Sequence, residues 1–178
     1  QLRKLHAEMI EMGTMIEQAI ETAIKALVAQ DTELAKKAIE ADDAIDHQER
    51  EIENLCLKLF LTQQPVAGDM RNISAALKMI TDMERIGDHA SDISELTLCM
   101  AGTPYIKKLE HVQQMAKETI VMLVSSIEAY VNADEKKAKS VIAHDDVVDD
   151  LFDTIKNELI AMIHDNPDDG EQACDLLM

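Results

Sequence analysis

The sequence predicts an all-α protein built as a tandem repeat of two three-helix antiparallel bundles. Three observations predict this class: apolar residues recur three and four positions apart, aromatic residues make up only 2% of the chain, and the two halves of the chain match each other. A core of aliphatic and methionine side chains favours packed helices over sheets, which draw on β-branched and aromatic residues. Because the breaks between the long helices are short, neighbouring helices should run antiparallel.

Five short segments rich in Gly, Pro, Asn and Asp are predicted to separate the helices. They are residues 30–32, 64–68, 101–104, 132–134 and 166–169. Residues of these types favour turns. Asp31 or Thr32, Asp69 and Asp134 follow or close such breaks and are the predicted helix N-caps, because their side-chain oxygens can accept from free backbone N–H groups.

The second half of the chain repeats the first at a shift of 103 positions. Asp31, Ala35, Lys36, Ile39, Asp42 and Asp46 meet Asp134, Ala138, Lys139, Ile142, Asp145 and Asp149. Agreement at polar and apolar positions together indicates a duplicated unit. The predicted units are residues 1–103 and 104–178, the second lacking most of its third helix. The sequence, which opens on Gln, is therefore expected to be part of a longer chain whose missing helix would carry further acids.

Two predicted helices carry acidic residues in rows. Helix 2 has Asp42, Asp46, Glu49 and Glu53, and helix 3 has Glu84, Asp88, Asp92 and Glu95. At about 100° per residue, the first row is confined to a strip roughly 60° wide that borders an apolar arc. Like charges four residues apart cost a few tenths of a kcal/mol per pair, so a bound cation would relieve both rows. Gly87 lies within the second row and permits close helix approach or ligand access, unless it is merely tolerated there.

The rows predict a carboxylate metal centre where helices 2 and 3 meet. The candidate ligands are Asp42, Asp46, Glu49, Glu84, Asp88, Asp92 and Glu95, with Asp145 and Asp149 at the equivalent place in the second half. Oxygen ligands suit Mg, Ca, Mn or ferric iron, zinc is also compatible, and carboxylates that can bridge favour a multinuclear cluster. Two alternatives to a non-enzymatic metal-binding protein remain open: a carboxylate-bridged metalloenzyme, and an acidic helical scaffold without metal.

Other features of the sequence limit the function further. No acidic residue stands three positions before any of the six histidines, so the Glu-x-x-His motif of di-iron oxidases is absent. A glycine-rich phosphate loop and a nucleophile motif are absent too, and no enzymatic activity is predicted. The net charge of -18 predicts repulsion from nucleic acid and from anionic lipid. Three separate cysteines and the lack of a membrane-length apolar run predict a cytoplasmic protein.

Two stretches of the sequence resemble the PhoU family. They are Pro-Val-Ala-Gly-Asp-Met-Arg at residues 65–71 and Asp-Met-Glu-Arg-Ile-Gly-Asp-His-Ala at residues 82–90. The family's acidic motif matches the pairs Asp42/Asp46, Glu84/Asp88 and Asp145/Asp149, whereas Asp92 stands where the family commonly has Asn.

The resemblance to the PhoU family implies two three-helix bundles with multinuclear iron or zinc clusters at these acidic motifs. It also implies negative regulation of phosphate uptake and of the phosphate-starvation response. The implied partners are the ATPase subunit of the phosphate ABC transporter and a sensor histidine kinase, so that the protein meets the membrane only indirectly. A homodimer is implied as well.

Overall fold

Six α-helices make up the computed structural model, which describes residues 2–63 and 66–178. The helices are α1 (Leu2–Ala29), α2 (Thr32–Gln63), α3 (Ala67–Met100), α4 (Glu110–Val131), α5 (Glu135–Asp165) and α6 (Gly170–Leu177), with a short 3-10 helix at Pro167–Asp169. Within the described ranges there is no strand, which confirms the all-α prediction. The predicted break at residues 64–65 lies outside those ranges. None of the described helices is long and apolar enough to cross a bilayer.

The first three helices pack on one another around an aliphatic and methionine-rich core. Each contributes a stripe of buried side chains at three- and four-residue spacing, as an amphipathic helix should. The stripes include Leu5, Met9, Met12 and Ile16 from α1, Ile45, Ile52, Cys56 and Leu59 from α2, and Ile73, Ala76, Ile80 and Met83 from α3. This packing sets α2 directly beside α3, which places their acidic rows.

A second face of α1 carries α4. Leu123 and Ile127 of α4 are buried in the same apolar cluster as the first three helices. A Cβ atom on Gly13 would overlap Cδ1 of Ile127, so a larger residue there would require the end of this side chain to move. The first helix is therefore shared between the two halves of the chain.

The turns α1–α2 and α4–α5 have the same local structure at positions related by the 103-residue shift. Gln30 and Ala133 both adopt a left-handed backbone conformation with φ of 50°. Asp31 and Asp134 each accept a hydrogen bond from the backbone N–H three residues on, at 3.0 and 2.9 Å. The predictions of Asp31 and Asp134 as N-caps are confirmed, and the two turns are equivalent.

The start of α3 differs from the prediction. Its N-cap is Val66, which makes no side-chain cap, and Asp69 lies inside the first turn. The prediction of Asp69 as N-cap was therefore wrong. An acidic residue is also favourable in the first turn of a helix, where it meets the positive end of the helix dipole.

The connection between α3 and α4 is tied to both halves. The Tyr105 hydroxyl donates to the backbone oxygen of Leu27, and Lys107 forms an ion pair with Glu158 on α5. Gln30 also donates to the backbone oxygen of Thr103, at 2.7 Å. The predicted boundary after residue 103 falls within this segment and stays a prediction.

Candidate metal centre

The contact between Ile45 on α2 and Gly87 on α3 brings the two acidic rows together. A Cβ atom built on Gly87 would lie 3.1 Å from both Cδ1 and Cγ2 of Ile45. Glycine costs about 1 kcal/mol relative to alanine inside a helix, and here it lets the α3 backbone lie against an isoleucine side chain. Of the interpretations open for Gly87, the structure supports close helix approach.

Three carboxylates converge beside this contact. Asp42 and Asp46 on α2 and Asp88 on α3 each place one oxygen within 4.8 Å of the other two, and all three side chains are partly buried. Asp42 and Asp46 are one helical turn apart on the same face of α2, and Asp88 follows Gly87 directly. The geometry thus joins acids from both rows, as the sequence predicted for helices 2 and 3.

Asp42 is the most constrained of the three. Its Oδ1 atom is buried and has no hydrogen-bond partner among the residues that the structure describes. Burial, and next the negative charges of Asp88 and Asp46, raise the pKa of this carboxyl above its ordinary value. A buried oxygen without a partner is costly, so the site fits a cation that would satisfy Asp42. The donor set therefore agrees with the predicted metal centre.

Glu84 and Glu49 extend the same negative field. Burial raises the pKa of Glu84, and Asp88 and then Asp46 add to the increase, so Glu84 on α3 faces the row on α2. The pKa of Glu49 is also raised, by burial first and by the charge of Glu53 second. Neither glutamate belongs to the group of three possible ligands, but both add negative charge beside it.

One basic residue partly offsets the cluster. Arg50 lies 3.4 Å from an Asp46 oxygen, and its side chain is 68% exposed. Exposed ion pairs of this kind contribute little, so Arg50 leaves most of the repulsion in place. This pair was not predicted from the sequence, although its four-residue spacing along α2 is a signal for it.

The remaining predicted ligands lie outside the group of three. Asp92 is exposed and pairs with His89 at 3.5 Å, although its charge contributes to the raised pKa of Asp42. Glu95 is exposed. In an antiparallel pair anchored at Ile45 and Gly87, it lies roughly 12 Å further along α3, opposite a part of α2 that precedes Asp42.

The predicted second site does not come together in the part of the chain that the structure describes. Asp145 and Asp149 are exposed on α5, and neither belongs to a group of three possible ligands there. Within the described residues, the short 3-10 helix and the eight-residue α6 follow α5, whereas α3 runs along the acidic part of α2. In this part of the chain, Asp145 and Asp149 have no facing acids like those that Glu84 and Asp88 supply to the first row.

The arrangement suits the binding of hard cations. The group offers only carboxylate oxygens, the ligands that hard cations prefer, and several of these can bridge two ions. Neither a histidine nor a cysteine joins the group in the described residues. Fold and site together define an acidic, all-helical repeat protein with a candidate carboxylate centre between its second and third helices.

Comparison with known proteins shows which family this chain belongs to. The model of the PhoU domain matches residues 9–97 and 112–178, and the chain belongs to the PhoU domain family, which confirms the resemblance. The chain is 38% identical over 166 residues to the phosphate-specific transport system accessory protein PhoU homolog of Clostridium acetobutylicum, covering 93% of this chain and 76% of that protein. The homolog of Aquifex aeolicus is 33% identical over 176 residues, which span 99% of this chain and 80% of that protein.

Solved structures agree with the sequence comparison. The crystal structure of PhoU from Pseudomonas aeruginosa superimposes with a TM-score of 0.92 at 26% identity, covering 99% of this chain and 85% of that one. The regulatory protein PhoU from Streptococcus pneumoniae gives a TM-score of 0.88 at 25% identity, with 99% and 83% covered. These relatives are named as accessory or regulatory proteins and not as enzymes.

Proposed function

We propose that this protein is an accessory protein of a phosphate-specific transport system and acts as a metal-dependent negative regulator. It restrains phosphate uptake and phosphate-starvation signalling from the cytoplasm, as a homodimer. Its partners are the ATPase subunit of the phosphate ABC transporter and a sensor histidine kinase. The names of the relatives from Clostridium acetobutylicum and Aquifex aeolicus support the transport role.

The buried Oδ1 of Asp42 is the observation that carries the metal part of this proposal. It faces Asp46 and Asp88 without a hydrogen-bond donor among the described residues. Asp42, Asp46 and Asp88 would hold iron or zinc, and Glu84 and Glu49 would extend the site to a cluster. The bound charge offsets the repulsion between the rows and holds α2 against α3. The surface formed by α2 and α3 is then fixed for docking.

Metal content tests the site directly. Protein purified without chelator and without an immobilised-nickel column should contain more than one equivalent of iron or zinc per chain. An Asp42→Asn, Asp88→Asn variant should lose it. The matched control is Glu40→Gln, Asp82→Asn, which removes two exposed acids from the same helices and should keep the metal. Empty wild-type protein under every metal supplement would refute the metal centre, as would equal loading of the Asp42 variant.

Partner binding is tested separately. A tagged protein expressed at its natural level should retrieve the transporter ATPase and the sensor kinase, and its deletion should leave phosphate uptake unrestrained. Retrieval of neither partner in low or high phosphate would contradict the regulatory role. A variant without metal that still binds both partners would separate the metal from the docking surface.

A further inference from the structure

Arg50 forms the only ion pair with the group of three carboxylates in the part of the chain that the structure describes. It follows Asp46 by one turn of α2, and its Nη2 atom lies 3.4 Å from Oδ2 of Asp46. Arg85, beside Glu84 on α3, pairs instead with the exposed Asp82, outside the group. A positive side chain thus lies against the candidate metal centre, where a bound cation would also lie.

The charge of Arg50 acts on more than one acid. The pKa of Glu49 is raised by burial first and by the charge of Glu53 second, and Arg50 reduces that increase. For Asp42 and Glu84, every neighbouring charge that shifts the pKa is negative. Arg50 therefore offsets the acidic rows at one edge only, and the inner carboxylates keep their repulsion.

The contact between Arg50 and Asp46 is loose. A guanidinium that fixes a carboxylate donates two parallel hydrogen bonds of about 2.7 to 2.9 Å, whereas here a single nitrogen lies 3.4 Å from the oxygen. The side chain of Arg50 is 68% exposed and that of Asp46 is 34% exposed. Such a pair contributes little to stability, so Arg50 holds Asp46 only weakly and can turn into water at little cost.

The effect of Arg50 on a bound ion is larger than its effect on folding, because the ion carries two or three charges. An ion held by Asp46 at an ordinary metal–oxygen distance would be about 6 Å from the guanidinium. In water, a unit charge at that distance weakens the binding of a divalent ion about tenfold and that of a trivalent ion about thirtyfold. The exposure of Arg50 makes the dielectric constant of water the appropriate one.

We propose that Arg50 is a displaceable counter-ion of the carboxylate group and limits its affinity for cations. Without a bound ion, Arg50 neutralises part of the charge beside Asp46. An ion that binds there displaces the guanidinium towards solvent, and the repulsion that remains lowers the affinity, more so for an ion of higher charge. This role of Arg50 rests on the metal centre proposed above, and it adds a residue that discriminates between ions by their charge.

Titration of the metal-free full chain with Mn²⁺ and with Tb³⁺, which both prefer oxygen ligands, tests the role of Arg50. In about 0.1 M salt, Arg50→Gln should bind Mn²⁺ about tenfold and Tb³⁺ about thirtyfold more tightly than the wild type does. In about 1 M salt both gains should shrink, because the salt screens the repulsion. Loss of both ions in an Asp42→Asn, Asp88→Asn variant identifies the site that is being titrated.

Two further variants separate the charge of Arg50 from its shape and from the net charge of the chain. Arg50→Lys keeps the positive charge but loses the planar fork, so it should bind both ions as the wild type does. Arg71→Gln removes an equal charge from α3, about 25 Å along that helix from Asp88, and should leave both affinities unchanged. Circular dichroism of each variant confirms that it is folded.

The results distinguish the role of Arg50 from the metal centre on which it rests. Equal affinities of the wild type and Arg50→Gln for both ions would overturn the role of Arg50 and leave the metal centre standing. Weaker binding by both Arg50→Gln and Arg50→Lys would show instead that Arg50 orients Asp46, and an equal gain in Arg71→Gln would trace the effect to net charge alone. Binding of neither ion by any of these proteins would refute the metal centre and the counter-ion together.

Discussion

Replacing Asp42 by Asn should stabilise the metal-free protein. Two unit charges 4.8 Å apart repel by about 3.5 kcal/mol at an effective dielectric constant of about 20 and by about 0.9 kcal/mol at that of water. Asp42 has two such neighbours, Asp46 and Asp88, and the group is only partly buried, so the net gain is expected near the lower figure. We expect Asp42→Asn to raise the free energy of unfolding by about 1 to 2 kcal/mol, since the amide can also donate a hydrogen bond to a neighbouring carboxylate.

Chelator-treated protein in a low-salt buffer near neutral pH is the sample for this measurement. Urea titration gives the free energy, and thermal melting should show an increase of about 2 to 8 °C for a chain of this size. Added salt should narrow the difference between the two proteins, because it screens the repulsion. The control, Glu40→Gln, removes an exposed acid from the same helix and should change stability by less than about 0.5 kcal/mol.

When metal is present, the wild type should become more stable than Asp42→Asn. The wild type gains the binding energy of the ion, and the variant does not. The reasoning is refuted if metal-free Asp42→Asn is no more stable than the metal-free wild type. That result would mean that the buried oxygen is satisfied in solution and that the three carboxylates do not repel appreciably.

Three further outcomes follow from the same geometry. The raised pKa values of Asp42 and Glu84 mean that the folded, metal-free protein binds more protons than the unfolded chain. Its urea midpoint should therefore rise as pH falls from 7 towards the ordinary pKa values of these groups, 3.8 and 4.5. An Asp42→Asn, Glu84→Gln variant whose urea midpoint depends on pH with the same slope would contradict this. Gly87→Leu should cost at least about 2 kcal/mol and weaken metal binding, with Ile45→Ala restoring part of the stability in a double-mutant cycle, whereas additive losses would rule out the contact. Ala133→Gly should stabilise the protein by up to about 1 kcal/mol because of the left-handed backbone there, and a lower melting temperature would count against it.

The convergence of Asp42, Asp46 and Asp88 could be predicted because it depends on local periodicity. Acids one helical turn apart share a face, and a face that borders an apolar stripe must lie beside whichever helix covers that stripe. The spacing of the acids within each helix does not determine how far α2 and α3 are shifted along each other. That register is set by the contact of Ile45 with Gly87. For this reason the outer acids Asp92 and Glu95 were predicted together with the inner ones.

The helix ends that depend on their own turns could likewise be predicted from the sequence, whereas the start of α3 could not. Asp31 and Asp134 are N-caps by virtue of their own turns, and both were predicted. The start of α3 was misplaced at Asp69 because an acidic residue is favourable both at the cap and within the first turn, so composition alone does not fix the boundary.

The close crossing of α1 and α4 at Gly13 has a consequence for any attempt to divide the chain. Leu123 and Ile127 cover the side of α1 that carries Gly13, and they belong to the same buried cluster as the first three helices. A fragment that ends near residue 103 would leave that side of α1 in water, with an apolar surface and a notch at Gly13. The two repeats are similar in sequence but share one buried cluster through α1, so we expect them to unfold together and expect a change that loosens either half to weaken the other.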